Sequence, residues 1–158
     1  MRTLSYLAFA AGYRRVSFVL IENGQLATWH TSKKAARSPD EATRFAAEFI
    51  DLLMPNVIVV EDVEARSRKG ENTRVLVRAI REEANCSNSS VIALEREHLF
   101  RTRHDEATWL VTHYPELADK IPTRLQHEPE PYHSVLFDAL ALAHQAMQGS
   151  TLLLASKM

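Results

Sequence analysis

Glu61 closes the apolar run Val57-Ile58-Val59-Val60, and Asp138 interrupts an otherwise apolar stretch at 135–143. A carboxylate inside such a stretch must reach solvent or a partner, because an unpaired charge is costly to bury. Two carboxylates from separate elements can hold Mg²⁺, a hard cation that takes oxygen ligands and keeps several waters. With a second ion such a set cleaves phosphodiesters, one metal activating water and the other stabilising the leaving oxygen. Two acids are few for two ions. Asp62 follows Glu61 directly, but successive strand side chains point to opposite faces, so the two are not expected to face one site.

A second constellation is basic. Between residues 66 and 81 the chain carries Arg66, Arg68, Lys69, Arg74, Arg78 and Arg81 against the single acid Glu71. Arg74, Arg78 and Arg81 are spaced by four and three and so share a helix face. Such Arg and Lys position phosphates, and Gly70 permits close backbone approach to a ligand. Arg14 and Arg15 lie at a hairpin and would add phosphate contacts. Arg101, Arg103 and His104 are offset by Asp105 and Glu106, acids that favour a helix start, and are expected to cap and solvate. The seven His show no HxH or HExxH spacing, and Cys86 has no His near it in sequence, so neither zinc nor a thiol nucleophile is indicated.

The elements that must position these residues follow from pattern. Runs at 4–11, 16–21 and 26–31 are rich in apolar, β-branched and aromatic residues and read as strands, with Asn23-Gly24 supplying the positive φ of a tight hairpin. Ser38-Pro39-Asp40-Glu41 reads as a helix start, with a capping hydroxyl, Pro at the first helical position and an acid three places on. Residues 57–60 form a β-branched run typical of a strand buried on both faces. Helices are expected at 72–84, 105–112, 116–120 and 134–148, and a strand at 90–94; the two middle helices are separated by Tyr114-Pro115, since Pro disfavours helix in the residue before it. The order predicts an α/β fold: a mixed five-stranded sheet, an antiparallel meander of three strands followed by parallel strands, flanked by helices. Ligands in such sheets gather beyond the carboxyl ends of the parallel strands, where Glu61 lies. One domain is expected over 1–149, with 150–158 a C-terminal tail.

Leu-Ala-Phe-Ala-Ala-Gly-Tyr-Arg-Arg at 7–15, Val-Ile-Val-Val-Glu at 57–61 and Phe-Asp-Ala-Leu-Ala-Leu-Ala at 137–143 resemble the RuvC-type Holliday junction resolvases of the RNase H-like superfamily. The element order agrees over nearly the whole chain. The resemblance implies an RNase H-like fold and a site in which a first-strand Asp, a Glu ending the fourth strand and two ligands on the last helix bind two divalent ions, Mg²⁺ or Mn²⁺. Glu61 matches the strand Glu and Asp138 the second helix acid, which makes both candidate metal ligands and catalytic residues. Ala10 stands where the family has its first-strand Asp. Val135 stands one helical turn before Asp138, at the place of the other helix ligand, with His133 and Ser134 beside it. What the resemblance implies is therefore a nucleic-acid-binding protein of the resolvase type with lost or impaired nuclease activity. The alternative is an active Mg²⁺- or Mn²⁺-dependent endonuclease that cleaves branched DNA. The implied partners are branched or duplex DNA and a second copy of the chain.

Composition narrows the field further. Nineteen Lys plus Arg against twenty Asp plus Glu exclude a polycation that binds phosphate by bulk attraction, so nucleic-acid contact must come from a local patch. A single cysteine excludes an internal disulfide, no stretch has the pattern of a signal peptide, and no run approaches the roughly 18 apolar residues of a spanning helix. A cytoplasmic protein without membrane contact is expected.

Overall fold

A computed structural model describes residues 4–64, 69–121 and 133–156. Three antiparallel strands open the chain, β1 (Ser5–Gly12), β2 (Arg15–Glu22) and β3 (Gln25–Ser32), followed by helix α1 (Pro39–Leu53). The chain continues through β4 (Val57–Glu61), α2 (Glu71–Asn85), β5 (Ser90–Leu94), α3 (Arg103–His113) and α4 (Ser134–Ser156). The five strands form one sheet in the order β3-β2-β1-β4-β5, with β1, β4 and β5 parallel. This is the mixed five-stranded sheet that the sequence pattern predicts.

Local chemistry accounts for the element ends. Asn23 and Gly24 adopt φ of 53° and 80°, the left-handed pair that lets a two-residue hairpin follow the strand twist. The Ser38 hydroxyl accepts the Glu41 backbone N–H at 3.1 Å, and Pro39 fills the first helical position, where its missing N–H costs nothing. Residues 115–120, expected as an α-helix, form a 3-10 turn (Pro115–Lys120). Six residues that start at Pro115 and stop at Lys120 are too few to propagate α-helical bonding. Helix α4 runs on to Ser156, through the segment expected to be a tail. The Thr-Leu-Leu-Leu-Ala run after Ser150 favours helix, and the lone Gly149 costs only about 1 kcal/mol. Among the described residues no helix is long and apolar enough to cross a membrane.

Period-two alternation sends the sheet's side chains into two cores. Leu7, Phe9, Ala11, Phe18, Ile58 and Val60 pack under α1 and α2, whereas Tyr6, Ala8, Ala10, Val19 and Val59 pack under α3 and α4. The second face is lined with small residues on both sides, Ala8 and Ala10 from β1 against Ala139, Ala143 and Ala146 from α4. Small facing side chains allow the helix to lie close across β1 and β2, which brings residue 138 to the carboxyl end of the sheet. By the same alternation Glu61 continues the Val57, Val59 row and shares its face with Ala10.

Candidate functional site

A cleft of about 460 Å³ opens at the carboxyl ends of β1 and β4. Its floor holds Gly12, Glu61 and Asp138, and its walls come from Lys69 and Thr73 and from the segment joining β5 to α3. Glu61 and Asp138, singled out by sequence, are both buried and both line this cleft. Asp62 lines it as well, although strand alternation predicts otherwise. It lies one residue past the strand, where its Oδ1 accepts the Glu64 backbone N–H at 3.1 Å and the pleat no longer dictates direction.

Asp138 sits within reach of three cations drawn from three parts of the chain. Arg96 Nη2 donates to its Oδ1 at 3.2 Å, Arg103 Nη1 to its Oδ2 at 3.2 Å, and Lys69 Nζ lies 3.7 Å from Oδ2. Arg96 also clasps Glu106 through both terminal nitrogens, with Nη1 to Oε2 at 3.0 Å. Lys69 Nζ donates in addition to the Ala11 carbonyl at 2.7 Å, so its ammonium bridges the end of β1 and the α4 carboxylate. Burial by itself pushes the Asp138 carboxyl up, but the charges of Lys69, Arg103 and Arg96 outweigh it and hold the group below the usual carboxylate range. Burial disfavours the charged Arg96 guanidinium, yet its bonds to Glu106 and the Asp138 charge raise its pKa all the same. The apolar-helix acid has found a partner, as its position demanded, and the partner is a cationic trio.

Most of that trio is not foretold by the sequence pattern. Lys69 is expected on a phosphate-binding face, and Arg103 is expected to cap and solvate. Arg96 carries no expectation, although it sits just past the end of β5, in the strand-end region where ligands gather. Helix α3 begins two residues earlier than expected, with the Thr102 hydroxyl accepting the Asp105 N–H at 3.0 Å, and this start carries Arg103 and Glu106 to the cleft.

The basic face of α2 is laid out differently. Arg74 donates through Nε and Nη2 to the Val63 carbonyl, at 3.1 and 2.7 Å, and so pins the loop after β4. Arg78 pairs with Glu64 and Glu71, and its bond to Glu64 draws that carboxyl below its usual value. Arg81 is half-buried further along the helix. Arg66 and Arg68 lie outside the described residues. Arg14 holds φ 59° at the tip of the β1–β2 hairpin with its guanidinium 4.9 Å from the Tyr13 ring centroid, and Tyr13 reaches the cleft while Arg14 and Arg15 do not line it. His133 stands apart from the cleft; burial, Lys120 and Arg15 lower its pKa against the pull of Asp119.

The sheet order, with helices on both faces, is that of the RNase H-like fold. Three solved structures share it at low sequence identity. Thermus thermophilus RuvC aligns with a TM-score of 0.63 and 15% identity, covering 92% of this chain and 97% of that one. The fowlpox virus resolvase in complex with substrate Holliday junction DNA gives 0.61 and 14%, covering 92% and 98%. T. thermophilus RuvC in complex with a Holliday junction substrate gives 0.57 and 15%, covering 89% and 90%. No family model and no curated relative matches the chain.

The divalent ions that this fold implies need several oxygen donors at one point. Ala10 presents a methyl group on β1, Val135 an isopropyl group on α4, and the Asp138 carboxylate is already engaged by three cations. Among the described residues no group of three or more His, Cys, Asp or Glu side chains is arranged to hold a metal ion. The donor set does not fit a two-metal centre.

Proposed function

We propose that this chain is a resolvase-like protein that binds branched or duplex DNA without cutting it. The observation that supports this reading is the ion-paired state of Asp138 beside Ala10. In a resolvase the corresponding carboxylate would serve metal ions, whereas here Lys69, Arg96 and Arg103 neutralise it. Arg74, Arg78 and Arg81 of α2, with Arg66 and Arg68 before it in sequence and Arg14 and Arg15, would supply the phosphate contacts that make such binding salt-dependent. Two copies are expected to act on one junction, in keeping with the resemblance.

The test is gel retardation and cleavage of labelled four-way junction, flap and duplex DNA in Mg²⁺ and in Mn²⁺, with complex mass read by light scattering. Retarded but intact junction is the expected result. Cleavage that disappears in Glu61→Gln would establish the other reading, an endonuclease that uses Glu61 and Asp138 with Mg²⁺ or Mn²⁺. Failure to retard any DNA at low salt would remove the binding role itself.

A further inference from the structure

Where two metal ions would bring positive charge to a phosphate in this fold, the chain brings fixed side-chain cations. Lys69 is the clearest case. Its ammonium lies between the Ala11 carbonyl and the Asp138 carboxylate, and its side chain is only 14% exposed. Arg96 is held from behind by Glu106 and is 10% exposed, so its position is set by packing and by two carboxylates. Arg103 differs from both: 54% of its side chain faces solvent while one terminal nitrogen touches Asp138, and exposed Arg101 stands beside it on the cleft wall. Asp138 and Glu106 pair with these cations, and Glu61, Asp62 and Glu95 line the cleft as well, whereas the exposed side chains of Arg101 and Arg103 stand at the opening. The cleft thus keeps its paired charges at the buried positions and sets two exposed guanidinium groups, those of Arg101 and Arg103, at its rim.

We infer that this cleft is a metal-free phosphodiester site, in which Arg101 and Arg103 at the mouth hold a backbone phosphate of DNA and Lys69 takes the place of a divalent ion. The inference rests on the DNA-binding reading above and adds the chemistry of one contact to it. A guanidinium meets phosphate with two parallel N–H donors, and Arg103 is oriented for this by its bond to Asp138. In this arrangement Asp138 is a positioning residue: it fixes cations instead of ligating a metal. Lys69 Nζ, 2.7 Å from the Ala11 carbonyl oxygen and 3.7 Å from Asp138 Oδ2, brings a fixed positive charge that a divalent ion would have to displace.

The experiment titrates the full chain with a thymidine dinucleotide, which carries one phosphodiester, with inorganic phosphate, and with a four-way junction, each in EDTA and in Mg²⁺. Neither dinucleotide nor junction affinity is expected to rise in Mg²⁺ over EDTA at matched ionic strength, with Arg103→Gln weakening each by about tenfold, the loss of one charge-assisted hydrogen bond. Binding of inorganic phosphate but not the dinucleotide would overturn the phosphodiester assignment in favour of a free-phosphate site. Junction binding that is strengthened by Mg²⁺, or that is indifferent to both Arg101→Gln and Arg103→Gln, would overturn the inference while leaving DNA binding in place. Loss of junction binding with dinucleotide binding retained would instead strike the DNA-binding reading. Mn²⁺ relaxation enhancement read on the wild type is expected to show no bound ion, and enhancement abolished by Asp138→Asn would place a metal where the inference places Lys69.

Discussion

Two ion-pair networks, one in the cleft and one on the face of α2, use the same chemistry to different ends. At the cleft, Arg96, Glu106 and Asp138 are 10%, 14% and 7% exposed. On α2, Arg78, Glu64 and Glu71 are 37%, 56% and 67% exposed. In the first, each charge has given up its water and depends on its partners, so the network is part of the architecture. In the second, water stands ready to replace either partner, and a phosphate can do the same. Surface pairs contribute little to stability and are screened by salt. The arginine that matters for folding is therefore Arg96, whereas on α2 the proposed DNA-binding role would draw on Arg78, whose carboxylate partners are exposed.

The largest effect is expected at the buried network. Arg96→Met strands Glu106 and leaves Asp138 with Lys69 and Arg103 alone, and should cost about 3 kcal/mol in urea unfolding, the lower end of the penalty for stranding a buried charge. A destabilisation no larger than that of a surface variant would erase the distinction between the two networks.

A smaller effect should appear with pH. The cations around Asp138 hold its folded-state pKa below the ordinary carboxylate value, so the folded protein binds fewer protons than the unfolded chain as the group titrates. The stability it confers is present in full above about pH 5 and drains away as pH falls through the depressed value. Urea unfolding between about pH 6 and pH 3 should show this slope, and Asp138→Asn should flatten it. An unchanged slope in that variant would mean that the cationic trio does not act on Asp138 in solution.

The smallest effect on stability belongs to α2. Arg78→Gln should leave the thermal midpoint unmoved while making junction binding weaker and its salt dependence less steep, by about 0.9 in the logarithmic slope for each phosphate no longer neutralised. A drop in midpoint with DNA affinity intact would reverse the roles assigned to the two networks.

Much of the scaffold is legible in the chain because it is locally encoded. Asn23-Gly24 demands a hairpin, Ser38-Pro39 starts a helix, and the β-branched run before Glu61 makes a buried strand that ends at the sheet's carboxyl edge. The element pattern and the family resemblance together bring Glu61 and Asp138 to one site, and the apolar surroundings of Asp138 require that it have a partner. The extents of α3 and α4 are less legible, since caps and fraying ends depend on weak local preferences.

Which partner Asp138 takes is settled only in three dimensions. Arg96 lies 42 residues before it and Arg103 lies 35, and nothing in the local pattern of either segment points to α4. They meet because β1, β4 and β5 run parallel, so their carboxyl ends and the loops that leave them open on one edge, where α4 delivers its single acid. Sequence by itself determined the strands, most of the helices and a buried charge in need of neutralisation. The tertiary structure decided that protein cations neutralise it, because side chains distant in sequence share a low-dielectric space only after the sheet has brought their elements together.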